Sequence, residues 1–471
     1  MKRFLALIMV LVMCFGIAAA ETVEVTDKLD AALSGGTVLF EGVANLSYTG
    51  TYPMWLWEAL DEDLLVLIYQ CEDESHGGWC VLGWSAGSLS GDEITAYPTE
   101  PGKPRMIVYT IEDIKEMFGV EHTNEINQLK LGAWNGGRIV KLVYLPKEKA
   151  AALENYIAEV TAAAEITHTY TGELSNADAS EEAKALYAYI RSVDGNGILT
   201  GQQESTWMGS PDYEMDYIEE KTGKLPAIRG LDFMHNDFAG CVERAKEWNE
   251  RGGIVTIGWH TGADFASGYN ECLADDPDWE KMLTEGTEEY QALLDGMDRA
   301  VPYLTELRDA GIPVLWRPFH EFDGAWFWWG KGGSENFKTL WRLMYDRYTN
   351  VWGLNNLIWV LGYSVSGLDM GAWYPGDECV DIIGADSYTA GANHELYEKV
   401  KEIAAEGMPI ALHECGNIPT EAELKENGTG WVWFMTWHTD WLTNEEYNPV
   451  GNLKEIYQSD YFITLDEVTV K

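Results

Sequence analysis

Basic side chains are scarce in this 471-residue sequence: 32 Lys and Arg residues stand against 77 Asp and Glu residues, which gives a net charge of −45 at pH 7. A surface of that sign repels nucleic-acid phosphates and anionic lipids. The composition therefore argues against nucleic acid as a partner and favours an uncharged one. Acidity alone identifies no substrate, because a charge excess also serves solubility.

Signatures of several enzyme classes are also missing. The sequence has no Gly-rich phosphate loop, no HExxH segment and no Ser nucleophile elbow, which argues against nucleotide-dependent enzymes, zinc peptidases and esterases. Its seven cysteines show no metal-site spacing. We therefore expect neither a metal ion nor an organic cofactor. Cys71 and Cys80 could bridge neighbouring strands, but spacing alone leaves that pairing open.

A long hydrophobic run occurs at the N-terminus. Lys2 and Arg3 precede the uncharged stretch 4–20, which has 17 residues and ends in three alanines. This pattern predicts a signal peptide at 1–20, cut before Glu21, and a secreted, extracellular protein. The stretch is short for a bilayer and has no positive anchor after it, so we expect no membrane span once the peptide is removed.

The remaining length exceeds what one hydrophobic core normally organises, so we expect two domains. Residues 21–146 carry short β-type runs separated by turns, which predicts a smaller all-β sandwich of jelly-roll type and a candidate carbohydrate-binding module. Residues 147–178 are predicted as a helical segment and linker. The tryptophans of the first domain could form a binding face or belong to its core: Trp55, Trp57, Trp79, Trp84 and Trp134.

Residues 179–471 alternate strand and helix patterns, which is typical of an α/β fold. Amphipathic helical segments lie between most of the eight candidate strands, and several helices close with a glycine. Eight such strands in about 300 residues predict a (β/α)8 TIM barrel, whose chemistry sits at the carboxyl ends of the strands. The candidate strands are 198–203, 227–233, 254–260, 313–320, 357–363, 380–387, 409–414 and 431–437.

Two glutamates close strands that lie across this barrel from each other. Glu321 follows the fourth strand in PVLWRPFHEFDGAWFWWG, beside four tryptophans, and Glu414 closes the seventh in MPIALHECGN. Pyranose rings stack on aromatic side chains and hydrogen-bond to carboxylates, so this grouping indicates a sugar site. Retaining glycoside hydrolysis places two such carboxyl groups about 5 to 5.5 Å apart.

Electrostatics predicts different protonation states for the pair. At that separation and an effective dielectric near 20, two carboxylates repel by roughly 3 kcal/mol, which raises the pKa of one by about two units. An acid with a pKa of roughly 6 to 7 keeps its proton at working pH. Arg317, on the same strand face as Glu321, could lie between the carboxylates and favour the ionised form of Glu414.

The segments WRPFHEFDGAWFWWG and ALHECG resemble the two signatures of glycoside hydrolase family 26, and the resemblance covers about residues 180–465. It implies a retaining (β/α)8 enzyme with Glu321 as general acid/base and Glu414 as nucleophile. The family carries a histidine before the acid, which His320 matches.

Further positions match substrate-binding residues of that family. Each lies at or just after a candidate strand end, where a polysaccharide would reach it, and Trp279 is a looser match on the loop after the third strand. The resemblance implies substrate contacts for His260, Trp279, Arg317, His320, Trp326, Asp386, Tyr388 and Trp437.

The resemblance implies a monomeric endo-β-1,4-mannanase whose partner is a neutral β-linked polysaccharide: mannan, glucomannan or galactomannan. Two departures, the segment Phe319 to Gly324 and His438 where some relatives carry Arg, bear on subsite preference. The same mechanism on β-1,3-xylan or β-1,3-1,4-glucan is one alternative. A non-catalytic polysaccharide-binding protein is another, although the presence of both glutamates argues against it.

Overall fold

The computed structural model describes residues 27–44, 59–71, 79–84, 96–98, 105–125, 129–134, 137–161, 166–364 and 370–470. The chain divides into two compact units, Met1–Val160 and Thr161–Lys471. The predicted signal peptide at 1–20 falls outside the described residues. The tryptophan binding face of the first domain and the pairing of Cys71 with Cys80 concern side chains that the structure does not describe.

The first unit contains antiparallel sheet. Its described strands are β1 (Thr37–Ala44), β2 (Leu64–Cys71), β3 (Trp79–Trp84), β4 (Ala96–Pro98), β5 (Arg105–Thr110), β6 (Leu129–Trp134) and β7 (Gly137–Leu145). Five of them form one sheet in the order β1-β7-β2-β5-β4, and β3 pairs with β6. Neighbouring strands run antiparallel throughout both sheets. The β-rich first domain predicted from short strand patterns is therefore confirmed as antiparallel sheet.

Helices cover one face of the larger sheet. The unit contains α1 (Asp27–Leu33), α2 (Ile111–Phe118) and α3 (Ala151–Thr161). Leu64, Val66 and Ile68 alternate along β2 and share one buried cluster with apolar residues of α1 and α3. Side chains two positions apart point to the same face of a strand, so this cluster is a helix-on-sheet core. The sequence predicted a sandwich of strands and did not predict this layer of helices on the sheet.

Eight parallel strands of the second unit close into a barrel, as predicted. The strands of this unit are β8 (Ile198–Leu199), β9 (Gly201–Gln203), β10 (Ile228–Asp232), β11 (Ile254–Gly258), β12 (Val314–Arg317), β13 (Leu357–Tyr363), β14 (Ile382–Ser387), β15 (Ile410–Cys415), β16 (Phe434–Thr436) and β17 (Phe462–Ile463). The barrel order is β10-β11-β12-β13-β14-β15-β16-β9. The first predicted strand is split: β9 joins the barrel, whereas β8 pairs with β17 outside it.

Helices lie between the barrel strands, as the alternating pattern predicts. Helices α5 and α14 end at a glycine with positive φ, and α4 and α14 begin at Ser180 and Thr420, whose side chains cap the first turn. The helices are α4 (Glu181–Val193), α5 (Tyr213–Thr222), α6 (Phe238–Glu250), α7 (Tyr269–Ala274), α8 (Trp279–Met282), α9 (Glu288–Met297), α10 (Val301–Asp309), α11 (Trp328–Lys331), α12 (Gly333–Asp346), α13 (His394–Ile403), α14 (Glu421–Asn427), α15 (Asp440–Thr443) and α16 (Val450–Gln458).

An apolar layer fills the amino-terminal half of the barrel. Leu315, Ile358 and Ile382 stand near the starts of three consecutive strands and share a buried cluster with residues of α4. Parallel barrel strands are covered on both faces, which explains their nearly unbroken apolar sequences. Polar side chains lie at the carboxyl ends of the strands instead. Arg317, for example, follows Leu315 on the same face of β12.

No helix in the described part of the chain is long and apolar enough to cross a membrane.

Replacing Leu315 with Ala should lower the free energy of unfolding of the second unit by about 2 to 5 kcal/mol, because a fully buried side chain would leave a cavity in the layer beneath Arg317. Urea unfolding followed by tryptophan fluorescence measures the change. Val351→Ala is the control, since Val351 is 60% exposed and should change stability by no more than about 0.5 kcal/mol. Equal effects of the two substitutions would contradict this assignment of the core.

Candidate active site

A cavity of about 1320 Å³ opens at the carboxyl ends of the barrel strands. Both glutamates singled out from the sequence, Glu321 and Glu414, contribute to its wall. Strand ends, the loops that follow them and helices α13 and α14 supply the rest, and a site at the strand ends is usual for this fold. The cavity is large enough for several sugar rings, and its wall combines carboxylates, imidazoles and indoles.

A buried arginine joins three barrel strands beneath the cavity. Nη2 of Arg317, at the end of β12, lies 2.7 Å from Oδ2 of Asp386 on β14 and 2.5 Å from Oε2 of Glu414 on β15. All three side chains are almost fully buried. Burial opposes the charge of the guanidinium, but the two carboxylates outweigh that cost and raise the pKa of Arg317. The arginine therefore stays charged and holds Glu414 as an acceptor.

A neutral histidine completes this network. Nδ1 of His413 lies 2.6 Å from Oδ1 of Asp386, and Nε2 lies 3.1 Å from Nε of Arg317. Burial, together with the charge of Arg317, lowers the pKa of His413 far below its usual value. A neutral ring that donates from Nδ1 and accepts at Nε2 satisfies both partners. Gly362 makes room for the ring, because a Cβ at that position would stand 2.2 Å from Cε1 of His413.

Glu414 has a hydrogen-bond donor on each of its carboxylate oxygens. Arg317 donates to Oε2, and the hydroxyl group of Tyr388 donates to Oε1. Burial and the neighbouring negative charge of Glu414 raise the pKa of Tyr388, so its phenol keeps the proton that it donates. Two donors on one carboxylate fix its orientation.

Glu321 has the opposite surroundings. Its backbone is in the left-handed region, with φ 53°, and its amide donates to the carbonyl of Gly362 at 2.8 Å. Nε1 of Trp326 donates to Oε2 at 2.9 Å. Gly324 allows this contact, because a Cβ there would lie 2.0 Å from the Trp326 ring. Burial, and then the negative charge of Glu414, raise the pKa of Glu321 to about 7.

Two histidines stand together on the wall beside the glutamates. Nδ1 of His260 lies 2.6 Å from Oδ2 of Asp232, the last residue of β10. Burial disfavours the charged ring, but the Asp232 carboxylate outweighs it and raises the pKa of His260. The His320 ring meets His260 edge to face at 4.5 Å. Burial and the charge of Arg317 lower the pKa of His320 well below its usual value.

His320, Asp386 and Glu414 have ligand atoms within 4.8 Å of one another, which is close enough to hold a metal ion. Arg317 already donates to both carboxylates of this group. A metal ion at the same place would be repelled by the guanidinium charge. This donor set therefore fits the arginine better than a metal ion.

The structure brings eight of the ten residues singled out from the sequence to one cavity. These eight are His260, His320, Glu321, Trp326, Asp386, Tyr388, Glu414 and Trp437.

The other two residues, Arg317 and Trp279, do not line this cavity. Arg317 is beneath the wall and acts on the carboxylates. Trp279 lies outside the cavity: its ring packs 5.9 Å from that of Trp328 and against Gly332, because α8 turns it towards the core. Of the neighbouring aromatic residues, Phe327 lines the cavity, whereas Trp328 and Trp329 are fully buried.

Several residues of the site were not identified from the sequence. Trp207, His235 and Tyr269 line the cavity from the loops after β9, β10 and β11. They carry no motif, and only their positions after strands could have indicated them. Asp232 and His413 orient other site residues, and both lie at or near the carboxyl end of a barrel strand. The same expectation that selected Glu414, that functional residues lie at strand ends, could therefore have selected them.

Residues 175–467 match the family described as glycosyl hydrolase family 26. A mannan endo-1,4-beta-mannosidase of Thermothelomyces thermophilus is 38% identical over 324 residues, which cover 64% of each chain. The chain thus spans less than two thirds of the length of this curated relative.

Two solved structures resemble the chain. A β-mannanase from a symbiotic protist of the termite Reticulitermes speratus, complexed with a gluco-manno-oligosaccharide, is 30% identical with a TM-score of 0.58, over 65% of this chain and all of that one. A ruminal GH26 endo-beta-1,4-mannanase is 25% identical with a TM-score of 0.60, over 93% of both chains.

Replacing Glu414 with Gln should lower the pKa of Glu321 from about 7 by about one unit, because a neighbouring negative charge is removed while burial remains. A ¹³C NMR titration of the labelled glutamate carboxyl groups measures the shift. Glu395→Gln, an exposed substitution on the same cavity wall, is the control and should leave the titration unchanged. An unaltered Glu321 titration in Glu414→Gln would contradict the coupling.

Proposed function

Because this chain belongs to glycosyl hydrolase family 26, we propose that it is a retaining endo-β-1,4-mannanase that hydrolyses internal bonds of mannan, glucomannan or galactomannan. Support for the substrate class comes from relatives named mannan endo-1,4-beta-mannosidase. Support for the mechanism comes from the two glutamates of the cavity wall.

One observation carries the proposal: Glu321 and Glu414 face the same cavity but have contrasting surroundings. Glu414 accepts from Arg317 and Tyr388, which suits an ionised nucleophile. Glu321 accepts from one indole N–H, and its pKa is raised to about 7, which suits an acid that still holds its proton at neutral pH. Environments that separate two carboxyl groups in this way mark acid and nucleophile roles.

In the first step a carboxylate oxygen of Glu414 attacks the anomeric carbon, while Glu321 donates its proton to the departing glycosidic oxygen. The glycosidic C–O bond breaks, and a glycosyl ester of Glu414 forms. Arg317 and Tyr388 orient the attacking carboxylate during this step. The leaving part of the polymer departs as a neutral alcohol.

In the second step Glu321, now ionised, removes a proton from a water molecule that attacks the same anomeric carbon. The ester bond to Glu414 breaks and its carboxylate is restored. Two inversions leave the anomeric configuration unchanged. The proton taken from water returns Glu321 to its acid form, which is ready for the next cycle.

The polymer is uncharged, which agrees with a protein of net charge −45 that attracts no anion. A polysaccharide is too large to enter a cell unaided, so export through the N-terminal segment 1–20 is part of the proposal. All residues of the site come from the second unit, so we propose that the enzyme acts as a monomer.

Glu321→Ala should lower kcat/KM on mannan by about 10² to 10⁴, because the glycosidic oxygen then leaves unprotonated. The first step on 2,4-dinitrophenyl β-mannobioside should be largely spared, because dinitrophenolate is a good leaving group. Glu414→Ala should reduce both activities by at least about 10³. Pre-steady-state release of dinitrophenolate separates the two variants. Identical behaviour of the variants on both substrates would refute the division of roles.

Incubation with linear mannan should release a ladder of oligosaccharides, with the β anomer formed first in ¹H NMR spectra, because double displacement retains configuration. Parallel incubations with β-1,3-xylan and β-1,3-1,4-glucan test the alternative substrates. Faster release from either would reassign the substrate. Tight binding without release from any polymer would support a binding protein instead.

A further inference from the structure

The side chain of Tyr388 is partly open to the cavity, although its hydroxyl group is bonded. The residue lines the cavity wall, is 38% exposed and lies one position after Ser387, at which β14 ends. Its hydroxyl group donates to Oε1 of Glu414. A tyrosine side chain turns about two torsion angles, so a ring with one open side can swing away from its acceptor. The bond to Glu414 therefore needs a support for the ring.

An indole packs against the Tyr388 ring. Trp441, on α15, has its ring centroid 4.6 Å from that of Tyr388, and the two ring planes are inclined by 53°. Two aromatic rings at this distance attract each other beyond the effect of the area that they bury. Trp441 is half-buried, and it is not among the described residues that line the cavity. It therefore contacts Tyr388 from outside the space where substrate would bind.

The chain that leaves β15 passes beside both rings. Gly416 directly follows this strand, and its amide donates to the carbonyl of Ser387 at 3.1 Å. A Cβ at Gly416 would lie 2.7 Å from Cε3 of Trp441 and 2.8 Å from Cδ1 of Tyr388. The absence of a side chain lets the backbone come this close to the two rings. The aromatic pair is thereby packed on the segment that carries Glu414 two positions earlier.

A buried asparagine fixes the position of Trp441. Nδ2 of Asn448 donates to the carbonyl of Trp441 at 2.6 Å and to the carbonyl of Gly416 at 2.8 Å. Its Oδ1 accepts from the amide of Ile418 at 2.9 Å. The ring of Tyr447 packs on that of Trp441 at 4.4 Å. Asn448 is 4% exposed, so these bonds are costly to break, and they hold α15 against the chain after β15.

We infer that Trp441 is a positioning residue for the reaction: it holds the ring of Tyr388 so that the hydroxyl group stays on Glu414. The inference rests on the proposed function, in which Glu414 attacks the anomeric carbon. Trp441 lies outside the cavity and acts through Tyr388, and Asn448 in turn fixes Trp441. A carboxylate that is already oriented reacts faster than one that must first be turned, so this support contributes to the rate of the first step.

Pre-steady-state release of dinitrophenolate from 2,4-dinitrophenyl β-mannobioside measures that step. Trp441→Leu should lower the first-step rate at saturation by about three- to tenfold, because the Tyr388 ring loses its support. The substrate concentration that half-saturates this rate should stay within about twofold, because Trp441 binds no substrate. Trp441→Phe keeps an aromatic ring and should restore most of the rate. An unchanged rate in Trp441→Leu, or a loss confined to half-saturation, would overturn the inference.

A double-mutant cycle tests whether Trp441 acts through Tyr388. Tyr388→Phe removes the hydroxyl group and should lower the first-step rate by about tenfold or more, because Glu414 loses one of the two donors that orient it. Trp441→Leu made in that variant should cause a further loss of no more than about 1.5-fold, because the hydroxyl group that it positions is absent. Equal losses from Trp441→Leu in both backgrounds would show independent action and overturn the inference.

Trp352→Leu is the matched control, since Trp352 is an exposed tryptophan ahead of β13 that does not line the cavity, and its first-step rate should stay within about twofold of wild type. Thermal melting accompanies each assay. A lower melting temperature with an unchanged rate, measured on folded protein, would assign Trp441 a purely structural role and overturn the inference. Should Trp441→Leu fail to fold, Tyr447→Ala, which removes the partly exposed ring packed on Trp441, decides by the same cycle.

The failure of the proposed function looks different. It would appear as wild-type protein that releases neither dinitrophenolate from the glycoside nor sugar from mannan. The failure of the inference would appear as wild-type protein active on both substrates, with a first-step rate that Trp441→Leu leaves unchanged or lowers equally with and without the Tyr388 hydroxyl group.

Discussion

The architecture of the site depends on one buried guanidinium. Arg317 binds Asp386 and Glu414 at once, and these three residues come from strands that are far apart in sequence. Two carboxylates this close in a dry interior would otherwise repel each other or become protonated. Arg317 offsets part of that cost, although burial still raises the pKa of Asp386 well above its usual value. Because Arg317 donates to Glu414 whereas Glu321 accepts from an indole N–H, the two glutamates have different surroundings, and burial raises the pKa of Glu321 to about 7.

The supporting contacts follow from this constraint. His413 must be neutral and must donate from Nδ1, since it stands between a guanidinium and a carboxylate. Its ring needs the space that Gly362 leaves, and the carbonyl of the same glycine receives the amide of Glu321. A single glycine therefore serves both carboxyl environments. The apolar layer beneath, which includes Leu315, holds the strands in the register that these contacts require.

The sequence allowed much of this to be predicted, for physical reasons that differ among residues. Parallel strands bury both faces, so their apolar runs and the helices between them revealed the barrel. Glu321 and Glu414 were found because strand ends concentrate chemistry. The position of Trp279 against Trp328 was not foreseen, because an aromatic side chain on a loop helix can turn to the core as readily as to the cavity. Trp207 was missed, since it lies in the loop after β9 and carries no motif, and no local pattern predicts which loop side chains face the cavity.

The backbone of the loop after β12 limits how this protein can be stabilised by mutation. Phe319, Glu321 and Ala325 all have positive φ, so three side chains within seven positions occupy backbone conformations that favour glycine. Engineering for heat tolerance would favour substitutions at such positions, because removing the backbone strain there stabilises the fold. The same relief would free the backbone that aims Glu321. Durability and turnover therefore compete within a single short stretch of chain, and a more robust variant is better sought in the helices around the barrel.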